Sequence, residues 1–379
     1  MPAKPAIVYG ASGYTGRLIC EYLREYKVPF LAAGRNKTKL DDAMAAHVPG
    51  IETADFEIAE VEHSVEALTE LFRGGAAVVC NTVGPFSTHG HEVVQACLAA
   101  GVHYLDTTGG EQDWLISLDE KYGADFAAAG LLLCPGLAHM YTTGEIAAQI
   151  CLETPGLDTL DIAVFWGGSP TIASTQTILV NAAMAKAYYL EQNNYAEWDP
   201  DAGLYTLAIP GQHELALALP WGGGTSHPVW FKRDPRVANV RALGGVFNKP
   251  LMEGVPQIVA GALEATKDMA PDERLVALQE VAASVMSEMP PREYTRINRS
   301  VDSVHATGPL GRAHTVIYGN CNYKQTGLLQ AYAAYSLIQK APLQTGLASG
   351  CQAFGHRELF GGVLKAFGFV QDPITTVNA

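Results

Sequence analysis

A glycine-rich turn near the start of the chain constrains the fold more than any other feature. The run Ala6–Tyr9 is apolar, as in a buried strand, and Gly10, Gly13 and Gly16 follow before the helical apolar spacing of residues 17–24. Glycines allow a tight turn and a close approach to phosphates, and the N–H groups that open a helix attract negative charge. This strand–turn–helix order predicts a dinucleotide site, and an ordinary strand-to-helix turn is the alternative. The contacts expected from the turn are Gly10, Ser12, Gly13, Tyr14, Thr15 and Gly16.

Basic residues close the second predicted strand, at residues 30–35. An acidic residue at this point would hydrogen-bond the 2′-hydroxyl of NAD. This chain instead has Arg35, Asn36 and Lys37, and its next carboxylate is Asp41. Because a guanidinium matches the geometry and charge of a phosphate, we predict NADP(H), with Arg35 as the main contact and Asn36 or Lys37 in support. NAD is the alternative cofactor, and a solvent-exposed loop arginine is the alternative role for Arg35.

Strands and helices alternate through the first 140 residues. Residues 76–81 form a continuous apolar run, as in a central parallel strand, and helices are expected at residues 38–47, at 64–72 with Ser64 as N-cap, and at 89–101. The repeated order predicts a mostly parallel, doubly wound sheet, which binds ligands where its strands end. Further cofactor contacts are therefore expected at Thr82, Val83, Gly84, Pro85 and Asp106. A plain Gly-Pro turn and a capping role for Asp106 are the alternatives.

Several segments carry a family resemblance. GASGYTG, AAGR, NTVGPF, VVQACLAAGVHYLDTTGGE and CPGLAH, together with the tail at residues 346–368, resemble a bacterial branch of the saccharopine-dehydrogenase-like NAD(P)-binding proteins, though not saccharopine dehydrogenase itself. The resemblance covers the first 140 residues and the tail better than the middle. It implies a Rossmann domain, an inserted α+β domain and a nicotinamide cofactor. Family members differ widely in substrate, so the resemblance names none.

The pattern changes near residue 150, where strands precede helices without strict alternation. We expect strands at residues 160–166, 229–231 and 237–246, a hairpin at 204–221, and helices at 174–191, 254–267 and 272–287. The glycine-rich loop at residues 222–226 lacks the Lys-Ser/Thr of a phosphate loop. Helices are also expected at residues 325–339, 346–350 and 356–367.

These elements predict an α/β fold, a doubly wound parallel sheet of Rossmann type with an inserted α+β mixed-sheet domain. The predicted domains are residues 1–140 for dinucleotide binding, residues 141–322 for substrate and dimer contacts, and residues 323–379 as helices that return to the first domain. Because inserted sheets often carry dimer contacts, we expect a homodimer.

Residues after the predicted strand ends are candidates for catalysis. His139 and Tyr141 are placed to donate a proton to a carbonyl or imine, and Trp166 to cover an apolar substrate. Packing at a domain joint is the alternative for Tyr141, and a core position is the alternative for Trp166. A Tyr-x-x-x-Lys pair does not occur in the strand–helix context that would suit it, so that mechanism is not predicted.

Composition argues against several classes of function. The net charge of −14 over 379 residues disfavours binding to nucleic acid or anionic lipid. No apolar run reaches the roughly 18 residues of a membrane span, so we expect no stable membrane insertion. The seven cysteines have no metal-ligand spacing, which predicts reduced thiols in a cytoplasm and no metal site.

Together these features predict an NADPH-dependent oxidoreductase for a small to medium, partly apolar substrate, with a carbonyl, imine or activated C=C as the reducible group. A non-catalytic NADP-binding scaffold is one alternative. A lyase or synthase that uses tightly bound NADP transiently is another.

Overall fold

The computed structural model describes residues 4–200, 202–221, 224–286 and 288–378. By their contacts they group into two units. Unit 1 comprises Met1–Thr108, Ile116–Thr142 and Tyr323–Phe367, and unit 2 comprises Gly109–Leu115, Thr143–Asn322 and Gly368–Ala379. The predicted loop residues Gly222 and Gly223, and Ser287 at the end of a predicted helix, lie outside the described residues.

The described residues contain sixteen strands and thirteen α-helices. The strands are β1 (Ala6–Tyr9), β2 (Phe30–Gly34), β3 (Phe56–Glu60), β4 (Val78–Asn81), β5 (His103–Asp106), β6 (Leu132–Cys134), β7 (Thr159–Trp166), β8 (Tyr188–Glu191), β9 (Asn194–Glu197), β10 (Tyr205–Leu207), β11 (Ala216–Ala218), β12 (Asn239–Val246), β13 (Arg299–Thr307), β14 (Arg312–Asn320), β15 (Gly346–Leu347) and β16 (Ile374–Asn378). The helices are α1 (Tyr14–Glu25), α2 (Lys37–His47), α3 (Val65–Phe72), α4 (Phe86–Ala100), α5 (Gln112–Leu118), α6 (Ala124–Ala128), α7 (His139–Cys151), α8 (Ile172–Met184), α9 (His227–Phe231), α10 (Lys249–Thr266), α11 (Pro271–Val285), α12 (Asn322–Gln339) and α13 (Gly350–Phe354).

Unit 1 is built on a seven-stranded parallel sheet in the order β15-β6-β5-β4-β1-β2-β3. Without β15, this is the strand order of the doubly wound dinucleotide-binding fold, which confirms the predicted fold class. The neighbouring central strands β1 and β4 are fully buried, as expected for parallel strands that are covered on both faces. The Ser64 hydroxyl accepts a hydrogen bond from the Ala67 N–H at 3.2 Å, as the predicted N-cap should.

The C-terminal segment contributes a strand to this sheet, where the sequence predicted a helix at residues 346–350. Gly346 and Leu347 pair in parallel with Leu132 and Leu133. A strand of two residues has no periodicity, so no local pattern could reveal it. The predicted helix at residues 356–367 is in fact a π-helical segment, Glu358–Lys365.

Unit 2 contains a second seven-stranded sheet in the order β16-β14-β13-β7-β12-β8-β9, together with the hairpin β10–β11. Strands β7 and β12 run parallel and the other neighbours antiparallel, so the sheet is mixed, as predicted. Its last strand, β16, comes from residues that the sequence assigned to the C-terminal helices. They group with unit 2 because Ile374–Asn378 pairs with β14.

Two predicted elements of unit 2 are wrong. The predicted helix at residues 174–191 ends at Met184, and Tyr188–Glu191 is a strand that turns into β9. Gln192 and Asn193 both have positive φ, which suits a two-residue hairpin turn. The predicted strand at residues 229–231 lies in helix α9, where Pro228 occupies the first turn and pre-sets a helical φ.

Candidate cofactor site and active-site residues

The glycine turn of unit 1 leaves the start of α1 without a side-chain cap. Gly13 is the N-cap residue and contributes no side-chain hydrogen bond, so backbone N–H groups define this helix terminus. Gly10 has a φ of +89°, and its N–H donates to the Ala33 carbonyl at 2.9 Å. A helix terminus of this kind, at the carboxyl end of a parallel strand, suits a pyrophosphate.

Close packing makes two of the glycines necessary. A Cβ at Gly16 would lie 2.5 Å from the Gly10 carbonyl oxygen and 2.8 Å from Ala11 Cα. A Cβ at Gly10 would lie 2.5 Å from Thr82 Oγ1. The turn therefore tolerates no side chain at either position. Gly13 is less restricted, since its Cβ would lie 3.3 Å from the Gly10 oxygen.

The other predicted residues of the turn surround it. Ser12, Tyr14 and Thr15 are half-buried. The Ser12 carbonyl accepts a hydrogen bond from Arg17 Nε at 2.8 Å, and the Tyr14 ring contacts Tyr323 edge to face at 5.2 Å.

The end of β4 lies against this turn. Thr82 Oγ1 donates to the Tyr9 and Gly10 carbonyls at 3.0 and 3.1 Å, and the Val83 N–H donates to Asn81 Oδ1 at 3.0 Å. A cis Gly84–Pro85 peptide follows, immediately before α4. The structure thus brings Thr82–Pro85 and Gly10–Gly16 together at the carboxyl edge of one sheet.

Of the three predicted 2′-phosphate contacts, two have structural roles. The Asn36 side chain accepts a hydrogen bond from the Lys39 N–H at 2.8 Å and caps α2. Lys37 forms an ion pair with Asp41 at 3.0 Å. Arg35 is exposed, directly follows β2, and makes neither a hydrogen bond nor an ion pair to another described residue.

A group of ring side chains lies near Arg35. Tyr9 Oη lies 2.8 Å from His63 Nδ1 with the two rings stacked, and His63 Nε2 lies 3.6 Å from Glu92 Oε2. The rings of His63 and His89 meet edge to face at 5.5 Å. Burial raises the pKa of Tyr9 to about 12, whereas burial lowers the pKa of His89, and nearby His63 and Arg35 lower it further. Isolated histidines in a sequence give no signal that they will meet.

Asp106 is fully buried, and its carboxylate joins three strand ends. Oδ1 accepts from the Thr108 and Gly136 N–H groups at 2.8 and 2.7 Å, and Oδ2 accepts from Tyr104 Oη at 2.9 Å. Asn81 Nδ2 donates to the same phenol oxygen at 3.1 Å. Burial raises the pKa of Asp106, while the hydrogen bonds that it accepts act in the opposite direction. Through these contacts the Asp106 carboxylate positions the chain segments that follow β5 and β6. This role resembles the capping role that was the alternative for Asp106.

The three predicted catalytic residues are buried. His139 begins α7 and its N–H donates to Thr326 Oγ1 at 3.0 Å, while Tyr141 lies half a turn further along the same helix. Both belong to unit 1. Trp166 belongs to unit 2, where it ends β7 and lines an apolar cavity.

All seven cysteines are free and buried. Among the described residues, no group of three or more His, Cys, Asp or Glu side chains could hold a metal ion. A search of the described helices finds none with the length and apolar character needed to cross a membrane.

Two family models match the chain. Residues 6–129 match the saccharopine dehydrogenase NADP binding domain, and residues 142–379 match a family of unknown function (DUF5938).

Curated relatives match over about a third of the chain. The Mycobacterium leprae trans-acting enoyl reductase is 32% identical over 132 residues, covering 34% of this chain and 31% of that protein. The Caenorhabditis elegans lipid droplet localized protein is 31% identical over 132 residues, covering 33% and 30%. The Rattus norvegicus saccharopine dehydrogenase-like oxidoreductase is 30% identical over 139 residues, covering 34% and 32%. The matched segment thus spans about a third of the length of these relatives.

A solved structure is similar over almost the whole chain. Apo saccharopine dehydrogenase (L-Glu forming) from Saccharomyces cerevisiae has a TM-score of 0.62 at 12% identity, with 98% of this chain and 100% of that chain covered. At this identity the likeness shows the fold. The strand order and the glycine turn agree with the match of residues 6–129 to the saccharopine dehydrogenase NADP binding domain, and by the match of residues 142–379 the chain belongs to the DUF5938 family.

Proposed function

We propose that this protein is an NADPH-dependent oxidoreductase that reduces a carbonyl, imine or activated C=C of a small to medium, partly apolar substrate. The observation that carries the proposal is the start of α1, which has no side-chain cap and lies at the carboxyl edge of a doubly wound sheet. The turn before it requires Gly10, and the helix itself requires Gly16. The domain match at residues 6–129 and the enoyl reductase among the relatives support it.

The preference for NADPH rests on Arg35. Asn36 and Lys37 are engaged in a helix cap and an ion pair, which leaves the Arg35 guanidinium available to a 2′-phosphate. Planar bidentate recognition of phosphate is the interaction that arginine makes best. Because the Asp41 carboxylate forms an ion pair with Lys37, Lys37 contributes little net positive charge to a 2′-phosphate site.

Different residues would have different roles in such a reaction. When bound, the nicotinamide ring supplies or accepts the hydride. The backbone of Gly10–Gly16 would hold the pyrophosphate, and the 82–85 turn would lie beside the ribose that carries the ring. Asp106 would hold the β4, β5 and β6 ends in register. His139 and Tyr141 are the candidate proton donors, at the start of the helix that follows β6.

A substrate panel with isotope labelling tests the proposal. The full chain is incubated with NADPH deuterated at C4 and representative ketones, imines and enones, and transfer of deuterium to product is measured. Transfer to one class supports the reductase. Tight NADPH binding without any transfer would favour a scaffold, and retained cofactor with substrate turnover but no net oxidation would favour a lyase or synthase.

We further propose a homodimer in a cytoplasm. Strand β16 forms an edge of the mixed sheet with all its described residues exposed, and exposed edges favour pairing with another strand. Seven free thiols suit a reducing compartment. Light scattering on the purified protein would test the dimer, and a monomer at micromolar concentration would refute it.

A further inference from the structure

Unit 2 contains an apolar cavity of about 70 Å³ between the ends of β7 and β12 and the helices α8, α10 and α11. All fourteen lining side chains except Thr175 are apolar. Its floor includes Trp166, Trp221 and Met252, which are almost completely buried. Its rim includes Val255 and Ile258 of α10, which are half-buried.

This combination of floor and rim differs from an ordinary packing defect. Protein interiors are packed about as densely as organic crystals, and voids larger than a water molecule are few. A water molecule needs two to four polar partners to be stable in a cavity, and these walls offer almost none. Half-buried valine and isoleucine at a rim leave apolar surface in contact with water, which is unfavourable unless a ligand covers it.

The lining restricts the ligand by its chemistry. With no charged side chain among the lining residues, the cavity cannot neutralise a carboxylate, a phosphate or an ammonium group. Met252 and Met286 add flexible, polarisable walls that adapt to a ligand of variable shape. Flexible walls of this kind suit an aliphatic chain that keeps its polar end outside.

The rim helix α10 contains a proline beside the cavity. Pro256 lies inside α10 and has no N–H to donate to the Met252 carbonyl, one turn earlier. Gly254 precedes it, and a Cβ there would meet nothing within 4 Å. The segment of α10 that lines the cavity therefore lacks one backbone hydrogen bond of the helix.

We propose that this cavity binds the end of an aliphatic chain, an alkyl or acyl group. The polar end of that ligand would remain outside the cavity.

A cavity of about 70 Å³ has room for about two or three methylenes. Binding of saturated fatty acids from two to ten carbons to the full chain therefore tests the proposal without any turnover. Dissociation constants are measured below the critical micelle concentration by displacement of a fluorescent fatty acid. Each methylene buried in the cavity should lower the dissociation constant about 4-fold, the equivalent of ~0.8 kcal/mol, until the cavity is full. A dissociation constant independent of chain length would overturn the proposal.

A cavity-filling variant locates the binding. Ile258→Trp places an indole at the rim and should weaken binding of the longest chains by about 10-fold or more, the loss expected when two or more methylenes no longer enter. Val276→Trp is the matched control, because Val276 is 54% exposed on α11 and does not line the cavity. Equal affinities in the two variants would overturn the proposal. If Ile258→Trp fails to fold, Ile258→Ala serves instead, and it should shift the length at which affinity levels off to longer chains.

NADPH titrations of the same samples separate this proposal from the proposed function. If fatty acid binding depends on chain length but the protein binds no NADPH, the proposed cavity ligand is supported and the proposed reductase function is refuted. NADPH binding and reduction of short substrates without chain-length dependence would keep the reductase and reject the cavity ligand.

Discussion

Gln330 of helix α12 donates through its Nε2 to the carbonyl oxygen of Asp106 at 2.6 Å, across 224 residues of sequence. The same nitrogen donates to the Leu137 carbonyl at 2.9 Å. One buried amide therefore joins a helix near the C-terminus to the chain segments that follow β5 and β6. The segment at residues 323–367 thus completes the first unit, and the carboxyl edge of its sheet depends on that segment for its shape.

Gln330→Leu should destabilise the protein because it keeps the side-chain volume and removes both donors. The Asp106 carbonyl would keep its hydrogen bond from the Leu137 N–H at 3.0 Å, whereas the Leu137 carbonyl would lose its donor. A buried carbonyl without a donor costs about 1–3 kcal/mol, so the free energy of unfolding should fall by about that amount. Guanidinium unfolding measures the change. Gln339→Leu, at an exposed position on the same helix, is the control and should change it by less than about 0.5 kcal/mol. Similar losses in the two variants would show that the Gln330 amide contributes nothing specific.

Gly16→Ala should abolish cofactor binding, because its Cβ would lie 2.5 Å from the Gly10 carbonyl oxygen and would force the turn open. We expect the NADPH dissociation constant to rise at least about 100-fold, equivalent to the loss of ~2.7 kcal/mol of binding free energy. Calorimetry measures the NADPH dissociation constant.

Gly261→Ala is the control for Gly16→Ala, since a Cβ at Gly261 meets nothing within 4 Å in α10. That variant should bind NADPH normally and gain up to about 1 kcal/mol in stability. Normal NADPH binding by Gly16→Ala would mean that the cofactor does not use this turn.

The sequence could predict the first sheet because its strands and turns are specified locally. Strand β1 is a short apolar run and β4 is apolar up to Asn81, and glycine or a capping residue such as Ser64 ends or begins the adjoining elements. Local chemistry of this kind does not depend on distant residues. The strand order then follows from the rules for parallel crossovers.

Features that depend on distant pairing could not be predicted. Strand β15 exists because Gly346 and Leu347 find an open edge beside β6, and nothing in a two-residue segment shows this. The contact of Tyr9 with His63, and the hydrogen bonds of Asp106 to Gly136, join residues far apart in sequence. In unit 2, apolar helical spacing shows that a helix packs, but not that its side chains leave a cavity.

Arg35→Glu should shift cofactor preference from NADPH towards NADH. A carboxylate repels the 2′-phosphate and can accept a hydrogen bond from the 2′-hydroxyl of NAD. We expect the ratio of dissociation constants, NADH over NADPH, to fall by at least about 30-fold, because an attractive contact is replaced by a repulsive one. Titration of the purified protein with both cofactors measures the ratio. Lys37→Glu makes the same change of charge two residues away and should alter the ratio much less. An unchanged ratio in Arg35→Glu would assign the 2′-phosphate contact elsewhere.

Stability should decrease steeply in alkaline solution because buried thiols resist ionisation. Burial raises the pKa of Cys80 to about 12, and the pKa values of Cys20 and Cys97 also lie well above 9.0. Above pH 9 the unfolded chain loses these protons and the folded chain keeps them, so the free energy of unfolding falls as the pH rises. Each such thiol should contribute about 1.4 kcal/mol per pH unit between pH 9 and the folded-state pKa.

Unfolding by guanidinium between pH 8 and 10.5 measures this slope, and Cys80→Ala should reduce it by the share of one thiol. Ellman's reagent supplies an independent measurement at pH 8. Since the thiolate is the reactive form, the folded protein should react negligibly over minutes and the unfolded protein should release seven equivalents. Rapid reaction of several thiols in the folded protein would contradict their burial and the pH dependence together.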